Sequence, residues 1–219
     1  VHDLQDQFSL VPLIAYGKPH TPPTGSVDPE FDMKTGVRAQ VNALGIRGFT
    51  EQEILPFAEF ARETGVVVRF IEFMPLDAGQ GWQGGQVVSQ AEIVAAIDAV
   101  YPLEPVARGS QPAERFRFRD GGGVAGGSGG AGAEIGVIAS VTEPFCGSCD
   151  RMRLTAEGQL RNCLFALGHT DLRTILRNGG TDDDLAAAVA GEIDRKWAGH
   201  AIGQVHFLRP SKSMSQIGG

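Results

Sequence analysis

All three cysteines of the chain fall in one stretch, Glu143 to Phe165, EPFCGSCDRMRLTAEGQLRNCLF, in the pattern C-x2-C-x13-C. Two thiols three positions apart can grip one metal centre from a tight turn, and the Gly147-Ser148 spacer lets the backbone curl so that both sulfurs converge. The third thiol must arrive from further along the chain. Met152 to Thr155 alternates like a strand, Ala156-Glu157-Gly158 reads as a turn, and Gln159 to Phe165 returns as a second strand. A hairpin would then carry Cys163 back beside Cys146 and Cys149.

Three thiolates are one short of the four that close a structural zinc site or an iron–sulfur cluster. A [4Fe-4S] cube held by three cysteines leaves one iron without a protein ligand, open to a small molecule. A zinc ion completed by His169, six residues after Cys163, fits the same spacing, and a disulfide between two of the three thiols is the remaining alternative. The odd cysteine count and the want of a signal-peptide pattern speak against an oxidising compartment. Arg151 and Arg153 follow Cys149 at alternate positions, so a strand points both guanidinium groups to one side, while Arg161 lies on the returning strand. Forked guanidinium donors suit phosphate or carboxylate. Offsetting the charge of the thiolates is their plainer role.

The stretch CGSCDRMRLTAEGQLRNCLF closely resembles the C-terminal cluster motif of the GTP 3',8-cyclases, the molybdenum-cofactor biosynthesis A family of radical S-adenosylmethionine (SAM) enzymes. Three further matches follow the family's order: VRFIEFMPLDAGQGW at 68–82, the segment from TDLRTILRNGG onward, and the terminal SMSQIGG. Together they cover roughly 47–219.

The resemblance implies the end of a radical SAM barrel, a partial TIM-like α/β barrel, followed by a cluster-binding hairpin and helices. It implies that Cys146, Cys149 and Cys163 ligate a [4Fe-4S] cluster whose open iron meets the guanine base, and that Arg151, Met152 and Arg153 contact GTP. It places Met74 at the SAM pocket and threads Gly218 and Gly219 into the active site as catalytic residues. In whole members, which are lyases, a separate N-terminal cluster reduces SAM to a radical that abstracts the ribose 3'-hydrogen. The C3' radical then attacks C8 of guanine to give (8S)-3',8-cyclo-7,8-dihydroguanosine 5'-triphosphate, on the way to cyclic pyranopterin monophosphate. GTP is the implied partner, and the family resemblance leaves room for a homodimer. Two departures stand out. No cysteine precedes Cys146, so the family's C-x3-C-x2-C loop is not in this sequence, and Gln40 stands where the family has a GTP-contacting lysine. A non-catalytic cluster- and nucleotide-binding module, or a zinc-stabilised structural domain, therefore remains an alternative.

The elements that must position these residues read as follows. With 219 residues, 42% apolar content and a net charge of -7, the chain can bury a sizeable core, and its acidic balance argues against nucleic acid. No apolar run approaches membrane-spanning length, which makes the cytoplasm the expected compartment. Residues 1–36 are broken by prolines and glycines and read as a linker; 37–102 read as the end of the α/β barrel, and 103–219 as the cluster- and GTP-binding region. AQVNALGIRG reads as a buried strand. Thr50 to Thr64 reads as a helix with a Thr50–Glu53 capping box, an inward face of Ile54, Phe57, Ala58 and Ala61, a kink at Pro56 and a stop at Gly65. Val66 to Met74 reads as a fully buried parallel strand carrying Arg69, Glu72 and Met74. Glu72 reads either as a lumen-facing functional carboxylate or as a satisfied structural one.

Ser89 to Tyr101 is a second capped helix with Ile93, Ala96, Ile97 and Val100 inward. ERFRFRD, 114–120, reads as a strand with one wet basic face, for which solvation is a better account than phosphate contact. The glycine-rich 121–134 stretch is not a phosphate loop, because no G-K-[ST] follows. It reads as a turn before EIGVIASV, the strand that leads to the cysteines. Asp171 and Thr181 read as caps of two closing helices, 171–178 and 181–197.

Overall fold

The structure is a computed structural model that describes residues 40–76, 81–109, 111–122, 133–196, 200, 202 and 207–217. Segment 1–36, most of the glycine-rich stretch, Trp197, Gly218 and Gly219 lie outside the described residues. The chain divides into two compact units, one of 1–72 with 88–139 and one of 73–87 with 140–219.

In the first unit, β-branched and aromatic residues in runs too short for helices make five strands: β1 Gln40–Gly45, β2 Val67–Glu72, β3 Leu103–Val106, β4 Glu114–Phe118 and β5 Glu134–Ile138. They form one sheet in the order β1-β2-β5-β4-β3, with β1, β2 and β5 parallel and β4 and β3 added antiparallel. This is a mixed α/β sheet, and no closed barrel occurs among the described residues. Helices α1 (Ile54–Thr64) and α2 (Gln90–Asp98) pack on it: Ala58, Ala61, Ile93 and Ile97 meet Val68, Phe70, Ile135 and Val137, all fully buried. Each fully buried branched aliphatic or Phe contributes about 1.5–3 kcal/mol relative to exposure.

Several local expectations change for physical reasons. Instead of being buried throughout, β2 alternates: Val68, Phe70 and Glu72 are buried while Val67, Arg69 and Ile71 are partly exposed, the helices lying on one face. Met74 falls beyond the end of the strand. Thr50 does not cap a helix through a box with Glu53; its hydroxyl donates to the Leu44 carbonyl at 2.5 Å and accepts from Ile46 N–H at 3.0 Å, while Glu51–Glu53 form a 3-10 turn ahead of α1. Because α1 starts at Ile54, Pro56 sits in its first turn, where no N–H is needed. Gly65 does end α1, in the left-handed region at φ 72°. Val100 is 52% exposed because α2 ends at Asp98 and the periodicity stops with it.

Ser89 caps α2 through the expected box with Glu92. The basic face of β4 is neutralised within the sheet: Arg115 and Arg117 both donate to Glu134 of β5, at 2.5 Å and 2.9 Å.

The second unit carries a three-stranded antiparallel sheet, β6 Arg153–Leu154, β7 Gln159–Arg161 and β8 Thr170–Asp171, followed by α3 Leu172–Arg177 and α4 Asp182–Asp194. The Asp171 side chain accepts from Thr174 N–H, and Thr181 caps α4 in a box with Asp184, with three aspartates favourably placed in its first turn. The tail packs back on the same unit: Met214 N–H donates to Leu76 O at 3.1 Å, the Arg209 guanidinium donates to Trp82 O at 3.3 Å, and Ile217 is fully buried. No helix among the described residues is long and apolar enough to cross a membrane.

Candidate metal centre

Cys146 opens a single 3-10 turn, Cys146–Ser148, closed by the Cys149 N–H to the Cys146 carbonyl at 3.2 Å. The Gly-Ser spacer thus forms the tight turn that two neighbouring thiols require. The chain enters β6, reverses at Gly158, whose φ of 82° suits glycine, and returns through β7 to Asn162 and Cys163. The hairpin expected from the sequence is present, but each arm is shorter: two residue pairs bond across it, Arg153 with Arg161 and Leu154 with Leu160. None of the three thiols is joined in a disulfide, and each is partly exposed.

Cationic and amide donors reach two of the sulfurs, those of Cys149 and Cys163. Arg151 Nη2 lies 3.3 Å from Cys149 Sγ, with the guanidinium also 4.6 Å from the centre of the Phe145 ring. The Phe165 N–H points to Cys163 Sγ at 3.4 Å. Lys196 Nζ, just past α4, donates to the carbonyls of Arg151 and Asn162.

Burial pushes the Cys149 thiol up, but the Arg151 N–H and guanidinium, aided by the Lys196 charge, more than offset it, so Cys149 ends below an ordinary thiol. Cys163 is pushed up by deeper burial, with the charges of Cys146 and Cys149 adding to the rise against the Phe165 N–H and Lys196. Burial also lowers Arg153, with Arg151 adding to the fall, while Cys163 and Cys149 oppose it. Arg161 is lowered by burial against the pull of Cys163 and Glu192, and its Nη2 donates to the Ala166 carbonyl. Cys146 and Cys149 thus act electrostatically on Cys163, and Cys149 and Cys163 on Arg153.

The donor set suits a thiophilic centre: three uncombined thiols, N–H···S contacts and cations to balance thiolate charge. Among the described residues, however, no three His, Cys, Asp or Glu side chains gather closely enough to hold an ion. His169, the candidate fourth zinc ligand, is exposed.

The remaining sequence candidates fall as follows. Met152 is partly buried on the approach to β6. Met74 is partly buried in the second unit, where its carbonyl accepts from Leu76 N–H at 2.8 Å. Gln40 opens β1 and its amide donates to Asn42 Oδ1 at 2.7 Å. Glu72 is fully buried and its Oε1 accepts from Gln90 N–H at 2.9 Å, which supports the satisfied structural reading. Gly218 and Gly219 lie outside the described residues. Sequence reasoning missed Lys196 and Glu192, whose partners lie far along the chain and leave no local pattern.

A short antiparallel hairpin bearing three thiols and an arginine pair, in a chain with a mixed α/β sheet, defines the class: a cysteine-rich candidate cluster or metal domain attached to an α/β unit. Comparison with known proteins gives the family. The family model described as Molybdenum Cofactor Synthesis C matches residues 66–202, so the chain belongs to that family. It is 42% identical over 182 residues to the GTP 3',8-cyclase of Corynebacterium glutamicum (strain R), covering 82% of this chain and 47% of the relative. The GTP 3',8-cyclase of Rhodopirellula baltica is 41% identical over 82% of this chain and 49% of its own length. That of Paenarthrobacter nicotinovorans is 42% identical over 82% and 53%. The chain thus spans about half the length of the curated relatives it matches.

Proposed function

We propose that this chain supplies the second-cluster and GTP-binding part of a GTP 3',8-cyclase acting in molybdenum cofactor biosynthesis. The carrying observation is the 3-10 turn at Cys146–Ser148 followed by the β6–β7 reversal, which set three uncombined thiols on one short folded segment with Arg151 Nη2 3.3 Å from Cys149 Sγ. Cys146, Cys149 and Cys163 would hold a [4Fe-4S] cluster. When bound, that cluster would supply an iron without a protein ligand, able to act as a Lewis acid towards the guanine base. Arg151 and Arg153, at alternate positions after Cys149, would bind and orient the triphosphate through forked donors, with Met152 between them against the nucleotide.

Burial around Arg153 strengthens a charge–phosphate contact there by excluding water. We also infer that β1, β2 and β5 are the last parallel strands of a barrel. Met74 would line the SAM pocket, and the anchored tail before Gly218 and Gly219 would aim those glycines at the reacting centre. Met214, whose N–H donates to the Leu76 carbonyl, and the buried Ile217 support that aim. SAM cleavage is assigned to no residue here, since no cysteine precedes Cys146.

The test is nucleotide selectivity of the anaerobically reconstituted chain. GTP should bind and perturb the visible and electron paramagnetic resonance spectra, with ATP at least roughly tenfold weaker, because guanine and not the phosphates meets the iron. Equal binding of GTP and ATP, or no binding of either, contradicts the reading.

A further inference from the structure

β6 is an edge strand of the three-stranded sheet, joined to β7 by only two residue pairs, so the ladder alone holds the two ends of the hairpin loosely. Something else must hold the arm bearing Cys149 at a set spacing from the arm bearing Cys163. Lys196 lies two residues beyond the end of α4, and its Nζ donates to one carbonyl on each arm: Arg151 O at 2.5 Å and Asn162 O at 2.9 Å. Arg151 lies two residues after Cys149, and Asn162 immediately precedes Cys163.

The last turn of α4 is itself fastened to the same sheet. Asn162 Nδ2 donates to the Glu192 carbonyl at 3.3 Å, and the Thr170 hydroxyl donates to Glu192 Oε2 at 2.7 Å. Arg195 also donates to Glu192, at 2.6 Å, and to Thr170, at 2.8 Å. An ammonium has three protons and no acceptor, so a single side chain can satisfy two carbonyls and still present positive charge to its surroundings. Both Cys149 and Cys163 lie within reach of that charge.

We propose that Lys196 is a positioning residue for the cysteine set: it locks the two thiol-bearing arms to the end of α4 and places a fixed cation beside whatever anionic centre the thiols hold. This rests on the cluster reading above. A cation next to an iron–sulfur cluster favours its reduced, more negative state, so Lys196 would raise the reduction potential as well as retain the metal.

Lys196→Met and Lys196→Arg in the 219-residue chain separate these roles. In the metal-free chain, Lys196→Met should raise hydrogen exchange in the hairpin between Cys149 and Cys163 by about tenfold or more, with exchange in the sheet of the first unit unchanged. In the chain reconstituted anaerobically with ferrous iron and sulfide, the same variant should release iron to a chelator about tenfold faster and show a lower cluster potential. Lys196→Arg, which keeps the cation and can reach both carbonyls, should recover most of each effect.

Unchanged hairpin exchange in Lys196→Met overturns the positioning role. An unchanged potential, with exchange raised, overturns the charge role. Should the wild-type chain take up no iron, the cluster reading fails by itself, and the exchange experiment still decides whether Lys196 clamps the arms.

Discussion

Arg153 and Arg161 stand directly opposite each other in the β6–β7 register, two cationic side chains leaving the same face of a two-pair ladder. Like charges so placed are destabilising unless anions sit with them. Burial, with Arg151 beside it, holds Arg153 below an ordinary guanidinium, and burial does the same to Arg161, with Cys163 opposing the fall at both, Cys149 at Arg153 and Glu192 at Arg161.

Replacing Arg151 and Arg153 together by Ala should weaken GTP binding by roughly a hundredfold or more, since hydrogen bonds to charged groups are worth about 1.5–3 kcal/mol each. Iron content should stay at the wild-type level. Titration calorimetry and iron analysis on the same preparation check both halves; loss of iron as well would make the arginines part of the scaffold.

Gly158 carries the reversal that returns Cys163 to the other thiols. A Cβ there would stand 2.8 Å from Arg173 Cβ, at a φ of 82°. Gly158→Ala should cost about 2 kcal/mol or more in chemical denaturation, the left-handed backbone accounting for about 1–2 kcal/mol of it. Gly168, with nothing within 4 Å of a built Cβ, is the control, and Gly168→Ala should change stability by about 0.5 kcal/mol or less.

Glu72 ends β2 wholly buried and accepts from the first N–H of α2. Glu72→Ala leaves that donor without its carboxyl partner and should destabilise by about 1–3 kcal/mol, while Glu72→Gln, which keeps an acceptor oxygen, should retain most of the stability. Equal loss in both variants would point to a need for the charge itself. The two melting curves decide it.

Glu92 is held down to about 2 from an ordinary 4.5, chiefly by the Ser89 backbone N–H and hydroxyl and then by Arg47. A carboxyl lowered on folding contributes stability that is full above its unfolded value and is lost as pH falls through its folded one. The stability of the first unit should therefore decline between about pH 5 and pH 2, and Glu92→Gln should flatten that decline. Because Glu92 is 47% exposed, solvent screening keeps the effect small. Acid titration followed by circular dichroism reads it.

Much of this was legible in the sequence where a signal is local. The thiol turn, the glycine reversal at Gly158, the Ser89–Glu92 box and the caps at Asp171 and Thr181 all lie within a few residues of their partners. Signals that arise from tertiary contact were not legible. Lys196 meets carbonyls 45 and 34 positions away, and β8 and β3 are too short to show a period. Thr50 looked like a cap because its hydroxyl is of the right kind; in the fold the end of β1 takes that hydroxyl first. Arg115 and Arg117 looked solvated because their partner, Glu134, lies across the glycine-rich stretch on another strand.

The most direct test of the central claim is iron, sulfide and zinc content of the anaerobically purified and reconstituted chain. The account predicts about four irons and about four sulfides per chain, with a broad visible absorption that disappears when Cys146, Cys149 and Cys163 are replaced by Ser. Stoichiometric zinc without iron, or no metal on a folded chain, would contradict it.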